Sequence, residues 1–338
     1  MGRITRSRFE PAWWLPGAHL QTIWPSLTKR RIQLDLVPRR VELADGDFID
    51  LALGPTPGPR VLFLHGLEGD LDSHYVGGLL QALQQAGFQP VFMHLRGCSR
   101  EPNRLDRSYH SGATDDLAEV LAALESDGLG RVFAAVGFSL GANLLLRYLG
   151  VTREPLVGTA VAVSVPFVLR DAMLRLERGV SRLYQRYLLD KLASSLRRKF
   201  AGRPFPLAVD LDAIRDFNQF DDRITAPLNG FVGVFDYYSQ ASCRGYLPGI
   251  ATPTLIIQAT DDPFMFPSTL PWEHELGPGV TLEISDHGGH VGFVGGSLPW
   301  RPHYWLETRI MGFLGERAAA SGLSLAATCP RGSGRCTA

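Results

Sequence analysis

An apolar run at residues 131–136 leads into Gly137-Phe138-Ser139-Leu140-Gly141, and a second apolar run, residues 143–149, leads out of it. The order reads strand, sharp turn, helix, with a serine at the apex, and few short patterns restrict a fold as much. Such a turn reverses the chain where strand and helix nearly touch, so the positions two before and two after the serine have no room for a side chain. It also lifts the Ser139 hydroxyl clear of the backbone at a helix N-terminus, whose positive potential favours a developing oxyanion. Taken alone, Ser139 equally suits a plain helix cap. What separates the two readings is whether the rest of the chain supplies a base, an acid and a second oxyanion donor.

The later chain supplies the first two. A serine hydroxyl is a poor nucleophile until a histidine, itself oriented by a carboxylate, takes its proton. Residues 253–259 read as a buried β-branched strand that ends in Thr260-Asp261-Asp262-Pro263. Residues 281–285 read as another strand, followed by Asp286-His287-Gly288-Gly289-His290-Val291-Gly292-Phe293. His290 is the better base, because the glycines around it permit a turn that returns the imidazole to the serine; His287 reads as a loop histidine. Serine, then acid, then histidine is the chain order of the α/β-hydrolase fold. Two backbone N–H donors complete the set. Leu140 follows the nucleophile, and Leu67 lies in His65-Gly66-Leu67-Glu68-Gly69, after the strand at 60–64, where glycines free the amides to turn. His65 reads as a structural hydrogen-bonding group rather than a second base.

From residue 60 onward strand and helix patterns alternate: strands 60–64, 90–94, 131–136 and 158–164 interleave with helices 74–86, 114–126 and 140–149. Alternation of this kind predicts a mostly parallel sheet flanked by helices. Residues 39–53 read as a hairpin turning at Asp45-Gly46, strands 253–259 and 280–285 resume the sheet, and a helix at 303–316 closes it. The reading assigns residues 39–165 and 249–317 to one α/β core, 1–38 to an N-terminal arm, 166–248 to an inserted helical cap, and 318–338 to a small-residue tail expected to be disordered. In the cap, Leu169, Met173, Leu176, Val180, Leu183 and Tyr187 recur at helical spacing, the stripe of one amphipathic helix with a buried face. A cap between the nucleophile strand and the acid strand shapes the pocket and excludes water.

Charge narrows the partners. The chain carries 34 basic and 34 acidic residues, so no net field draws it to nucleic acid. Locally, residues 167–203 hold ten Arg or Lys against three Asp or Glu, and residues 1–40 hold eight against two. Together with Trp13, Trp14 and Trp24 these stretches suit weak contact with an anionic membrane surface, although a solvated polar face explains them as well. There is no apolar run of about 18 residues and no apolar leader, which points to a cytoplasmic protein. Cys98, Cys243, Cys329 and Cys336 are scattered and read as reduced thiols. His94, His110, Asp115 and Asp116 lack metal-ligand spacing, and Thr114-Asp115-Asp116 reads as a helix N-cap with two favourably placed carboxylates. With no phosphate-binding glycine pattern either, neither a metal nor a cofactor is expected.

Several segments also resemble one family. His65-Gly66-Leu67-Glu68-Gly69, His94-Leu95-Arg96-Gly97, Tyr109-His110-Ser111-Gly112, the turn at Ser139, Asp221-Asp222, Asp236-Tyr237-Tyr238, Asp261-Asp262-Pro263-Phe264 and the glycine-flanked His290 are similar to the YheT-like branch of the α/β-hydrolases, as are Phe9-Glu10-Pro11 and His19-Leu20-Gln21-Thr22. The resemblance spans roughly residues 9–316. It implies a serine hydrolase of the carboxylesterase or monoacylglycerol lipase kind, acting on a small-molecule ester or lipid, with Ser139, Asp262 and His290 at the matching positions. On the residues alone Asp261 and Asp262 compete; the family pattern, in which the acid directly precedes proline, favours Asp262. Acyl transfer to an alcohol through the same acyl-serine, and ligand binding without catalysis, stay open beside hydrolysis.

Overall fold

The computed structural model describes residues 2–29, 31–128 and 130–323. The alternation becomes a nine-stranded sheet in the order β1-β9-β8-β7-β6-β4-β5-β3-β2. Its strands are β1 (Arg3–Arg6), β2 (Val37–Glu42), β3 (Phe48–Leu53), β4 (Arg60–Leu64), β5 (Gln89–Met93), β6 (Val132–Phe138), β7 (Val157–Val163), β8 (Thr254–Ala259) and β9 (Val280–Ser285). All neighbours from β5 through β1 run parallel, while the β2–β3 hairpin adds antiparallel strands beyond β5.

Helices on both faces explain why the central strands read as unbroken apolar runs. In β4 every residue is buried: Leu62 and Leu64 face one hydrophobic cluster, and Val61 and Phe63 the other. The first cluster packs under α3 (Thr114–Glu125) and α4 (Leu140–Val151), the second under α2 (Gly77–Gln85) and α10 (Trp305–Ala320). Thr114 lies inside α3 and not at its cap. The cap position is Ala113, whose methyl can accept no bond, and Asp116 in the first turn makes a buried two-pronged ion pair with Arg96 at 2.6 and 3.0 Å.

Three features depart from the sequence reading. The N-terminal residues are not a peripheral arm throughout. Arg3–Arg6 adds a parallel edge strand to β9, and residues 18–28 form α1 (Ala18–Thr28), which packs near the end of β9. A four-residue strand rich in arginine is too short and too polar to show a periodicity. Second, β10 (Val294–Leu298) and β11 (Arg301–Tyr304) make a separate antiparallel hairpin, and α10 extends through Ala320, beyond the expected end of the last helix. Cys329, Cys336 and the rest of the tail from 324 lie outside the described residues.

The third concerns the cap. Between β7 and β8 come α5 (Leu169–Leu176), α6 (Ser181–Lys199), α7 (Phe217–Phe220), α8 (Ala226–Leu228) and α9 (Val234–Ala241). The single amphipathic helix expected from Leu169 to Tyr187 is two helices. The chain turns at Gly179, whose φ of +54° suits glycine. The turn rotates the stripe: Leu169 and Leu176 stay buried, whereas Val180, Leu183 and Tyr187 face outward.

Candidate active site

Ser139 occupies the turn between β6 and α4 with φ 52° and ψ −117°, a strained conformation for a residue with a side chain. The glycines beside it are needed for close approach. A Cβ on Gly137 would lie 2.5 Å from the Gly141 carbonyl oxygen, and one on Gly141 2.5 Å from the carbonyl oxygens of Leu64 and His65. Five non-glycine residues among those described have positive φ: Glu68, Ser139, Ser164, Val291 and Phe293. All five sit in the loops that converge on Ser139. Strain of about 1–3 kcal/mol apiece persists only where the surroundings over-determine it.

The hydroxyl of Ser139 lies 3.0 Å from His290 Nε2, and His290 Nδ1 lies 2.9 Å from Asp262 Oδ2. Asp262 is buried, and its other oxygen accepts the Phe264 N–H at 2.8 Å. Of the two competing carboxylates, Asp262 is therefore the one that faces His290. Asp261 accepts the Gly289 N–H at 2.9 Å and approaches the exposed ring of His287, so it shapes the same loop from behind. Partial burial pushes the Asp261 carboxyl above its ordinary range, opposed by that amide and by His287.

The loop that carries His290 is fixed from three directions. The His290 N–H donates to the Thr22 hydroxyl at 2.9 Å, and the Val291 N–H donates to Ser164 at 3.0 Å. Gln21 exchanges two bonds with the Val294 backbone, at 2.7 and 2.9 Å. The ring of Phe264 stacks on the imidazole with centroids 4.0 Å apart. Gln21 lies 273 positions before Val294 and Thr22 lies 268 positions before His290. No local pattern links such residues, which is why the sequence reading missed their role. The early motif His19-Leu20-Gln21-Thr22 was its one trace.

In the loop after β4, the Gly66 N–H is taken by the Tyr75 hydroxyl at 3.0 Å and the Glu68 N–H by the Tyr109 hydroxyl at 2.9 Å. Among the described residues no hydrogen bond engages the Leu67 N–H between them. Leu67 and Leu140 both border the space in front of Ser139. His65 supports the loop from beneath: its Nε2 accepts the Leu95 N–H at 3.0 Å, which leaves Nδ1 to donate to the Gly66 carbonyl at 2.7 Å. Burial pushes His65 down to about 4, so the ring is neutral. Glu68 accepts bonds from Tyr109 on the core side and Ser195 on α6, and burial raises its carboxyl above the ordinary range.

Geometry of this kind has a family. The model of the alpha/beta hydrolase fold matches residues 59–297. A relative in Escherichia coli (strain K12), named "Putative esterase YheT", is 44% identical over 317 residues, which cover 91% of this chain and 93% of that one. The chain belongs to the α/β-hydrolase family, in its YheT-like branch. Mouse "Phospholipase ABHD3" is 32% identical over 71% of this chain and 60% of its own length. Among solved structures, the Pyrococcus furiosus esterase Pf2001 shares the fold with a TM-score of 0.55 at 17% identity, covering 84% of this chain and 93% of that one. The protein is thus an esterase- or lipase-type α/β hydrolase.

In this hydrolase two spaces meet at Ser139. One is a cavity under the cap, about 1130 Å³ with the solvent at its mouth included, walled by apolar residues such as Leu140, Leu169, Leu176, Leu192 and Phe220. The other is an open groove between α1 and α6 whose walls mix apolar residues such as Ile23 and Leu188 with polar ones such as Ser26, Asp70 and Lys191. The cavity has a polar rim of its own. Lys199 donates to the carbonyls of Asp106 and Arg107 and to Ser108, and burial brings it down to about 7. Burial raises Asp221 to about 6, against the pull of its bonds from Thr225 and Tyr238. Burial also lowers His110 to about 3. Cys98 is a packed thiol whose ionisation burial opposes.

Proposed function

We propose that the protein hydrolyses carboxylic esters through an acyl-serine intermediate, with Ser139 as nucleophile, His290 as base and Asp262 as its orienting acid. The observation that carries the reading is the unbroken hydrogen-bonded chain from Ser139 through His290 to Asp262 at the junction of the cavity and the groove. As Ser139 Oγ attacks the ester carbonyl, His290 Nε2 takes its proton, and Asp262 holds the Nδ1 proton and steadies the imidazolium. The Leu67 and Leu140 amides, which border the space in front of Ser139, receive the oxyanion. His290 then protonates the departing alcohol and activates a water that releases the acid. No cofactor takes part.

The two spaces divide the substrate. The apolar cavity under the cap suits an acyl chain of short to medium length or a monoacylglycerol-like lipid, and the groove, with more polar side chains in its lining, suits the alcohol part. An alcohol entering the groove in place of water would receive the acyl group instead, so product analysis with added alcohol separates transfer from hydrolysis. A cytoplasmic placement belongs to the same proposal.

Intact-mass analysis after exposure to a fluorophosphonate tests the nucleophile without assuming a substrate. One adduct on the wild type and none on Ser139→Ala is expected. An adduct retained by Ser139→Ala would remove Ser139 from the reaction, and a wild type that binds ligand yet is never labelled would favour a binding protein.

A further inference from the structure

Among the described residues the outward half of the cap stripe is largely exposed, with the Lys191 ammonium 5.3 Å from the centre of the Tyr187 ring. Leu183 is 69% exposed and Tyr187 58%, one turn apart on α6. Alongside, α1 carries a second outward row, with Leu27 77% exposed and Leu20 nearly half exposed. The two helices are neighbours: His19 Nδ1 lies 3.1 Å from the Tyr184 hydroxyl, and their rings stack. Residues from both helices line the groove that opens on Ser139 and His290. Continuing from α1, Trp13 is 77% exposed and bonded to the β10–β11 hairpin, whose Trp300 is equally open to solvent. Single exposed apolar side chains are ordinary; two adjoining helical rows on the helices that wall one opening are not.

The charges around the rows select the occupant. Arg182 and Arg186 alternate with Leu183 and Tyr187 on α6, both exposed, and among the described residues neither forms an ion pair. Arg178 precedes them and Lys191 follows. A helix lying at a bilayer surface combines buried apolar side chains with cations that reach the headgroup phosphates, and residues 178–191 carry four cations against one acid, Asp190. Among the described residues no helix is long and apolar enough to cross a membrane, so the contact is peripheral.

We infer that the α1–α6 face docks on an anionic lipid surface, with the groove to Ser139 turned toward the bilayer. An ester dissolved in the membrane then enters the groove without crossing water. This function for the face rests on the ester-hydrolase reading, but docking itself does not require turnover.

The test is cosedimentation of the full chain with vesicles of phosphatidylcholine alone or mixed equally with phosphatidylglycerol, using wild type and Ser139→Ala side by side. Both should sediment with the anionic vesicles and far less with the zwitterionic ones. The pair Leu27→Glu and Leu183→Glu should weaken binding by about tenfold or more, since each loses apolar burial and adds repulsion. Arg182→Glu with Arg186→Glu should weaken it further at low salt than at high salt. None of these four residues lines the cavity or the groove, so hydrolysis of a water-soluble short-chain ester should stay at the wild-type rate. A wild type that stays in the supernatant with anionic vesicles, or a Leu27/Leu183 double variant that binds as well as wild type, overturns the proposal and leaves the face to a protein partner. Loss of ester hydrolysis with vesicle binding intact would instead count against the reading of the active site.

Discussion

On the sheet side of Ser139, the groups of the site hang from backbone amides and buried hydroxyls: Thr22 holds His290, Ser164 holds Val291, and Tyr75 and Tyr109 hold the loop of Leu67. On the cap side, the wall is mainly apolar packing among α5, α6 and α7, with Leu176, Leu189, Leu196 and Phe217 buried together. Directional bonds fix positions to a few tenths of an ångström; apolar contacts fix volume and tolerate repacking. The contrast separates the two tasks of an esterase. In the proposed reaction the sheet side sets where charge and protons sit, and the cap sets what shape of acyl group is admitted.

Substitution of the bonded chain itself should break the contrast most completely. His290→Ala and Asp262→Asn should each lower kcat by about 10⁴-fold on any ester, short or long, while leaving the thermal midpoint nearly unchanged. A loss confined to long-chain esters would mean that these residues shape the pocket and do not run the chemistry. Next in size comes Thr22→Val, which preserves shape and deletes the hydroxyl under the His290 amide. The orphaned buried N–H costs about 1–3 kcal/mol, and the misplaced ring should cut kcat by about 10- to 100-fold with little change in KM. Steady-state kinetics on one soluble ester distinguishes that outcome from a simple binding defect.

The pH dependence of stability tests buried ionisable groups on both sides at once. Burial lowers His65 and His74 to about 4 and His110 to about 3, so the unfolded chain binds protons that the folded chain refuses. Each histidine is therefore fully compatible with folding above the ordinary histidine value and destabilises the fold as pH falls below it, by about 2 kcal/mol at pH 5. Asp221 works in the opposite sense. Its raised value means that stability declines as pH climbs from the ordinary aspartate range through about 6. Denaturant titrations should show a net loss from pH 7 to pH 5, because three histidines outweigh one carboxyl, and Asp221→Asn should make that loss steeper by removing the opposing slope. A flat profile would show that these rings take up protons without cost.

Legibility in the sequence followed the same division. The strands of the core, the turn at Ser139 and the His290 loop each announce themselves within about ten residues, because glycine, β-branched runs and strand ends are local signals. The choice between Asp261 and Asp262 is not local, since both end the same strand and only the fold decides which faces the ring. Thr22, Gln21 and Tyr109 stand in segments that resemble the family, yet for the same reason nothing near them in the sequence names the groups they hold. The cap misled in another way: apolar residues at helical spacing continued from Leu169 to Tyr187, yet Gly179 turned the second half outward. Periodicity reports an apolar face and says nothing of what covers it.

The smallest effect belongs to the place where the two sides touch. Glu68 follows the proposed oxyanion donor Leu67, accepts from Tyr109 on the core and from Ser195 on α6, and so ties cap position to the oxyanion loop. Ser195→Ala leaves the Tyr109 bond intact and removes the bond to the cap. If the sides act independently, the variant should match wild type on short esters. If the link matters, kcat should fall about three- to tenfold on all chain lengths, since loss of one bond of this kind is worth about 1 kcal/mol. Glu68→Gln provides the internal comparison, because its amide can still accept from one hydroxyl but no longer carries the charge that both bonds favour. A short-ester kcat lowered by Ser195→Ala and lowered further by Glu68→Gln would mean that an apolar cap, itself indifferent to atomic detail, reaches the chemistry through a single carboxylate.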